Sequence, residues 1–486
     1  MRLSYLAEQA APFLISIKGD AEISSLSQDS RQKTEHGLFF CVAGARADAH
    51  DYAQQALDNG AVALVVTREL DLSVPQVLVS NDRAAMALIA AAFYGHPARS
   101  MRLVGVTGTK GKTTTTYFLK SIFEAAGLKC GLIGTTGNMI GDRWMQSKLT
   151  TPDPIELHST LRQMADAGVQ VVTMEASAHA VSMHRLEGLV FEAAAYLNLS
   201  QDHLDYYGGM EQYFNAKKAF FTGALVRNAA LNADDDSTSR IVKDLRIPHS
   251  TFGICTNADI FARNIEIHED GVNFQLSLWN ERVYPVSLHM MGMFNVYNAL
   301  AATATALIMG IEPDSICQGL QSIRSVPGRA EVLDTHTAYK VILDYSHSPD
   351  AMENILKAAR DFTRGRLIVL FGCGGDRDHG KRPKMGAVAG ALADYSILTS
   401  DNPRTEDPME ILHQVEQGIK AVSLAYEVIE NRRDAILKSL SMAQEGDVII
   451  LAGKGHETYQ DINGVKRPFD EKQIVRELLA DMRKNG

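Results

Sequence analysis

Short apolar runs alternate with amphipathic stretches along the whole chain, and this pattern predicts strands alternating with helices. In the first hundred residues, 37–43 and 61–66 read as strands, and 52–59 and 83–94 as helices. Gly95-His96-Pro97 then reads as a linker. A second segment opens with an apolar strand at 103–106, a Gly/Thr-rich loop, a helix over 112–126 and a strand at 130–133. That β-loop-α-β unit begins a parallel sheet, for which 171–174, 193–198 and 229–232 are further strand candidates. From about 328 the alternation resumes, with strands at 339–344, 367–371, 396–399 and 448–451 and helices at 349–362, 384–393 and 432–443. The expected fold is α/β with three domains: 1–97, a central 98–327 built on a parallel mononucleotide-binding sheet, and a doubly wound, Rossmann-like 328–486. In such sheets ligands gather at the carboxyl ends of the strands.

Composition narrows the function classes. The chain has 486 residues, which suits several domains better than one core. Its formal net charge is −10, with no basic block, and this argues against a nucleic-acid-binding role. The five cysteines, Cys41, Cys130, Cys255, Cys317 and Cys373, are odd in number and form no C-x-x-C pair. A disulfide framework or zinc site is therefore not expected, and a reducing cytoplasm fits. No apolar run approaches the ~20 residues of a helical membrane span. The stretch 11–17 is followed by Lys18-Gly19-Asp20 and lacks a cleavage site, so no signal peptide is expected.

The sharpest chemical signal is Gly105-Val106-Thr107-Gly108-Thr109-Lys110-Gly111-Lys112-Thr113-Thr114-Thr115. It follows a strand and opens a helix. Glycines allow backbone N–H groups to approach an anion, and the helix N-terminus adds partial positive charge. Lys112 can reach the β- and γ-phosphates, and the Thr113 hydroxyl can serve Mg²⁺. Val106 stands where a strict Walker A motif has glycine. No Asn-Lys-x-Asp guanine reader and no basic track are present, so a GTPase switch or a translocating motor is not supported.

Two further residues follow strands of the same expected sheet. Glu175 lies in Met174-Glu175-Ala176-Ser177-Ala178-His179, and His203 in Asn198-Leu199-Ser200-Gln201-Asp202-His203. A carboxylate with phosphate oxygens and water suits Mg²⁺; a histidine alone is more often structural. Lys217 and Lys218 read as solvated positions of an amphipathic helix, and spacing alone does not single out Lys217.

These motifs together resemble the Mur ligase family, over essentially the whole chain. The likeness rests on 107–115, 198–206, the Asn295/Asn298 pair, Pro327-Gly328-Arg329 and Asp344-Tyr345-Ser346-His347-Ser348-Pro349-Asp350. It implies an ATP-dependent, carbon–nitrogen-bond-forming ligase of cell-wall peptide synthesis, cytoplasmic and monomeric, with Mg²⁺ as cofactor. ATP would be held by Gly108, Thr109, Lys110, Gly111, Lys112, Thr113 and Thr114, together with Asn298, Arg329, Asp344 and His347. Thr113, Glu175, His203 and a carbamylated Lys217 would serve the metal, and Lys112, Lys217, His203 and Glu175 the catalysis. The resemblance also implies UDP-substrate contacts at Ser30, Thr150, Thr151, Ser177 and Arg185, and closure of the third domain over the second.

In the third domain, Gly374-Gly375-Asp376-Arg377-Asp378 and Asp401-Asn402-Pro403-Arg404 each follow an apolar strand. Arginine forks suit planar carboxylates. Within the family, an Asp-Asn-Pro-Arg loop marks members that add meso-diaminopimelate to UDP-N-acetylmuramoyl-L-alanyl-D-glutamate. The resemblance thus assigns Arg377, Asp401, Asn402, Pro403, Arg404, Gly453 and Glu457 to the incoming amino acid. Alternatives are a sister enzyme adding L-lysine or another diamino acid, the D-alanyl-D-alanine-adding ligase and folylpolyglutamate synthase. This chain departs from the family pattern at Lys110, Ala178, Ser346 and Ser348, none of which removes a charge the reaction needs. The general base is left open between His203, His347 and a substrate phosphate oxygen.

Overall fold

The computed structural model describes residues 1–44, 47–279 and 282–485, whose strands form three main sheets and one two-stranded ribbon. The first sheet has the strand order Leu14–Lys18, Gln76–Val79, Ala61–Val66, Gly37–Phe40, Ser25–Ser27. All neighbours are parallel except the edge strand Leu14–Lys18. Alternate side chains face opposite ways, as the pleat demands. Leu38, Phe40, Ala63 and Val65 pack under the helices Leu3–Gln9 and Asp82–Phe93, while Phe39, Leu64 and Val66 face the helix Ala53–Asp58. The strand read as 37–43 ends at Phe40, and the helix read as 52–59 is Ala53–Asp58, preceded by a 3₁₀ segment, Ala49–Tyr52.

The second sheet is centred on Arg102–Thr107, which lies between two strands that come later in the chain, Val171–Glu175 and Phe191–Tyr196. In register, Glu175 pairs with Val106 and Tyr196 with Thr107, so three strands end side by side where the Gly/Thr loop begins. That register positions the site. The helix Lys112–Ala125 starts directly after the loop and packs against Met293–Ile308 and Pro313–Ser322. Antiparallel pairings extend the parallel core at both ends, although Ile260–His268 itself joins its inner neighbour His249–Gly253 in parallel. The strands involved are Gly137–Ile140 and Arg143–Met145 on one side, and Ile260–His268, Gly271–Leu278 and Val283–Leu288 on the other.

The third sheet has the order Glu331–Leu333, Lys340–Asp344, Val448–Ala452, Leu367–Phe371, Tyr395–Leu398, Tyr426–Val428, parallel but for its first strand. Ile342, Val369, Ile450 and Leu398 join one apolar layer, and Val341, Leu343, Ile368, Leu370 and Ile449 the other. This is the signature of a doubly wound sheet buried on both faces. Beyond it lies the ribbon Tyr459–Ile462 with Val465–Pro468. No helix among the described residues is long and apolar enough to cross a membrane.

One buried group makes the junction between the first two sheets acid-sensitive. His158, on the helix Pro154–Asp166, is fully buried where that helix meets Asp82–Phe93 and Pro97–Ser100. Its ring nitrogens have no hydrogen-bond partner among the described residues. Burial, aided by the charge of His96, pushes the His158 imidazole down from 6.5 to about 4. The unfolded chain takes up this proton near pH 6.5 and the folded chain only near 4, so stability present above 6.5 is lost as pH falls through that window. Equilibrium unfolding should show a fall of roughly 3 kcal/mol at most from this group. His158→Leu should remove it; an unchanged pH dependence in that variant contradicts the account.

Candidate active site

A cleft of about 1700 Å³ runs between the second and third sheets. Its lining includes Thr109, Lys110, Gly111, Lys112, Thr113 and Thr114 from the loop, together with Glu175, His203 and Asn298. Across from them lie Arg329, Asp344, His347, Arg377, Arg404 and Glu457. Thr150, Thr151, Ser177 and Arg185 line one end.

The loop is shaped for an anion. Gly111 has φ +89, and a side chain there would strike the buried Asn298 amide. Asn198 pins the loop from the neighbouring strand end. Its Oδ1 accepts from the backbone N–H groups of Thr109 and Lys110 at 3.1 and 2.9 Å, and its Nδ2 donates to the Lys110 carbonyl at 3.1 Å. The Lys112 ammonium donates to the carbonyls of Gly108 and Thr109 at 2.9 and 3.0 Å, and burial lowers its pKa. A cation held down by loss of water, with only carbonyl partners, is a ready counter-ion for phosphate.

Thr113 is the hub. Its hydroxyl donates to Glu175 Oε1 at 2.9 Å and accepts from Arg329 Nη2 at 3.1 Å. Glu175 is buried and also accepts from the Thr135 N–H and hydroxyl at 2.8 and 3.0 Å. Arg329 lies over the Tyr345 ring, 4.6 Å from its centroid, and its Nε is buried without a partner among the described residues. Asp344 fixes the neighbouring turn, accepting from the Ala330 N–H at 2.8 Å and from the Ser346 hydroxyl, and burial raises its carboxyl pKa. His347 Nδ1 donates to the Tyr345 carbonyl at 2.8 Å, which turns Nε2 outward as the basic nitrogen, and burial lowers its pKa.

Fit to Mg²⁺ follows from the donor set. Thr113 and Glu175 converge beside the loop, as hard-oxygen ligands must. Three His, Cys, Asp or Glu side chains do not converge as a complete cage among the described residues, so Mg²⁺ at this pair would need further ligands such as phosphate oxygens or water. His203 lines the same cleft, with its ring against other partners. It has φ +54, lies edge-on to His179 with ring centroids 4.8 Å apart, and has Nε2 3.7 Å from Asp202. Lys217 is fully buried, its ammonium 4.4 Å from the Tyr213 ring centre. Burial, with Lys112 nearby, lowers its pKa well below the usual lysine value.

The substrate-side residues split into two groups. Thr151 donates to the Glu175 carbonyl at 2.6 Å and pairs with Ser177 at 3.1 Å, while Arg185 donates to the Thr151 carbonyl and pairs with Asp153, both at 2.9 Å. Thr150 pairs with Thr135 at 3.0 Å. Ser30 is in a turn beyond the first-sheet strand Ser25–Ser27, bonded to Gln55 at 2.8 Å, and does not line the cleft. In the third sheet, the Gly375 N–H donates to the Asn402 carbonyl at 2.9 Å, and Arg404 Nη1 to the Gly375 carbonyl at 2.5 Å. The two loops singled out by sequence are therefore one structure. Pro403 packs in that turn, buried. Gly453, at φ +111, lies against Asp401, where a side chain would collide. Sequence reasoning assigned no individual role to Asn198, Thr135, Lys381 (which donates to the His347 carbonyl at 2.7 Å) or Lys454.

Family models match three consecutive segments: the Mur ligase family catalytic domain at 22–100, the Mur ligase middle domain at 106–306, and the Mur ligase glutamate ligase domain at 328–455. The chain belongs to the Mur ligase family. It is an ATP-dependent ligase. The UDP-N-acetylmuramoyl-L-alanyl-D-glutamate–2,6-diaminopimelate ligase of Geobacillus thermodenitrificans is 43% identical, covering 99% of this chain and 100% of the relative. The ligase of the same name from Caldanaerobacter subterraneus is 44% identical, covering 96% and 97%. A solved structure of a ligase with that name is 32% identical, with a TM-score of 0.67 over 96% of this chain and 97% of that one. The MurF ligase of Thermotoga maritima in complex with ADP shares the fold, at 19% identity and a TM-score of 0.66 over 95% of this chain and 98% of that one.

One ion pair crosses the cleft of this Mur ligase. Lys110 Nζ lies 3.2 Å from Asp350 Oδ2, at the start of the third-sheet helix Pro349–Arg360. The pair is partly exposed, so it contributes about 1 kcal/mol or less to closure. Asp350→Asn should raise the KM for ATP roughly 2- to 5-fold at low salt and less at high salt. An unchanged KM at both would show that the pair does not favour the closed cleft.

Proposed function

We propose that this ligase joins meso-diaminopimelate to UDP-N-acetylmuramoyl-L-alanyl-D-glutamate, through an acyl phosphate, in peptidoglycan precursor synthesis in the cytoplasm. The observation that carries the reading is a single cleft. The phosphate loop and Glu175 face Arg377, Arg404 and Glu457 across it, so a phosphate donor and a doubly charged amino acid fit one space. Relatives at 41–44% identity bear this ligase's name.

The D-glutamyl γ-carboxylate attacks the γ-phosphorus of ATP, and ADP leaves. The loop N–H groups and Lys112 offset the charge that develops on the phosphoryl oxygens. Arg329 and Asp344 hold the nucleotide from the third sheet, and Asn298, beneath Gly111, lies beside it. Thr113 and Glu175 would hold Mg²⁺, with His203 lining the same cleft, and the ion would supply Lewis-acid charge neutralisation when bound. Burial lowers the pKa of Lys217 well below the usual lysine value, which favours the free amine that carbon dioxide needs to form a carbamate with release of one proton. That anion would offset the cations around the loop. The neutral α-amine of the amino acid then attacks the acyl carbon, and phosphate leaves as the amide forms. Ser30, Thr150, Thr151, Ser177 and Arg185 hold the UDP-linked substrate. Asp401, Asn402, Pro403 and Gly453 shape the amino-acid pocket, Glu457 takes the distal ammonium, and Arg404 with Arg377 takes the distal carboxylate. L-Lysine has no such carboxylate and would leave these arginines without a partner.

Arg404 is the test of this reading. Arg404→Ala should cut kcat/KM for meso-diaminopimelate by the equivalent of about 2–5 kcal/mol, roughly 30-fold or more. KM for ATP should stay unchanged, and any use of L-lysine should change little. A small loss with selectivity preserved would sink the assignment of Arg404 to the distal carboxylate.

A further inference from the structure

Lys454 follows the strand Val448–Ala452, and none of its side chain is exposed. A buried lysine needs partners, and this one has three on the amino-acid side of the cleft. Its Nζ donates to Asn402 Oδ1 at 3.1 Å and to Glu457 Oε2 at 3.3 Å, and lies 3.8 Å from Asp401 Oδ1. The Tyr459 ring stands 5.6 Å away.

These contacts leave Asn402 no freedom. Its Oδ1 also accepts from the Asp461 N–H at 2.9 Å, and its Nδ2 donates to Glu457 Oε2 at 2.9 Å. An ammonium can only donate, so the amide must turn its oxygen toward Lys454 and its nitrogen toward Glu457. Glu457 Oε2 thus holds two donors, while Oε1 receives only a long bond from the Tyr345 hydroxyl, at 3.4 Å. Glu457 lines the cleft, so its Oε1 is the polar atom left for a ligand. The cluster of Asp401, Glu457 and Lys454 carries one surplus negative charge.

We infer that Lys454 is a positioning residue for the amino-acid pocket, acting on Glu457, which it holds directly and through Asn402. It aims one carboxylate oxygen at the incoming diamino acid. It also offsets one of two adjacent carboxylates, so that the pocket has a single negative charge for the substrate's distal ammonium. The inference deepens the proposed function and rests on its assignment of these loops to the amino acid.

The experiment separates the two steps of the reaction. Hydroxylamine can intercept an acyl phosphate as a hydroxamate without filling the amino-acid pocket. Turnover of the wild-type enzyme with meso-diaminopimelate tests the underlying reading by itself, and the amine the wild type accepts is then used for the variants. Lys454→Met should raise KM for that amine about 10- to 100-fold, while hydroxamate formation and KM for ATP stay within about 3-fold. In a Glu457→Gln background, Lys454→Met should add less than about 3-fold, because its route of action is already gone. That double variant restores the charge balance of the buried cluster, so it reads out the coupling even if Lys454→Met alone folds poorly. Equal losses in hydroxamate formation and amine KM would make Lys454 merely structural. Full additivity with Glu457→Gln, or an unchanged amine KM, would also overturn the inference.

Discussion

The hydrogen bond from Arg329 to Thr113 joins the two halves of the cleft, and the rest of the site depends on what that contact brings together. Thr113 is the second residue of a helix whose N-terminus closes an anion loop, and its hydroxyl also binds Glu175. Arg329 begins the third sheet's segment and is braced by Tyr345. Parallel sheets present their chemistry at strand ends, so a two-substrate reaction can be built by setting two such ends face to face. Lys110 with Asp350 and Lys381 with the His347 carbonyl show how the halves and loops are knit around that line.

Electrostatics explains why an acidic protein handles anionic substrates. The chain carries a net charge of −10, yet Lys110, Lys112 and Arg329 gather near the loop. Burial lowers the pKa of both lysines. Cations stripped of water gain most when an anion arrives, and this is the preorganisation that phosphoryl transfer needs. The amino-acid end has the opposite arrangement, with Asp401 and Glu457 sharing one buried lysine.

Much of this was legible in the chain. Buried parallel strands read as continuous apolar runs, so the four central strands of the third sheet emerged with boundary shifts of a few residues, whereas its short edge strands Glu331–Leu333 and Tyr426–Val428 and the helices Pro408–Lys420 and Glu471–Asn485 did not. The phosphate loop stood out because its glycines have no other economical use. The antiparallel wings were harder to see. Ile260–His268 mixes buried and exposed residues, and its role depends on partners that lie elsewhere in the chain. The ribbon Tyr459–Pro468 is exposed along Val465–Pro468 and carries no apolar signal, yet Asp461 holds both Asn402 and Arg404 by its backbone. Lys217 did leave a trace. Tyr213, Lys217 and Phe221 repeat at four-residue spacing on the buried face of their helix, whereas Lys218 points out to Asp244 at 2.7 Å. A lysine within an apolar stripe was the available signal, and adjacent lysines masked it.

Phosphate release is the most direct measure of the central claim, that one cleft activates a carboxylate and delivers it to diaminopimelate. The purified protein would receive ATP, Mg²⁺ and UDP-N-acetylmuramoyl-L-alanyl-D-glutamate, with either meso-diaminopimelate or L-lysine. The account predicts sustained release with meso-diaminopimelate and little with L-lysine. Release mainly with L-lysine, or with neither amine while ATP still binds, would contradict it.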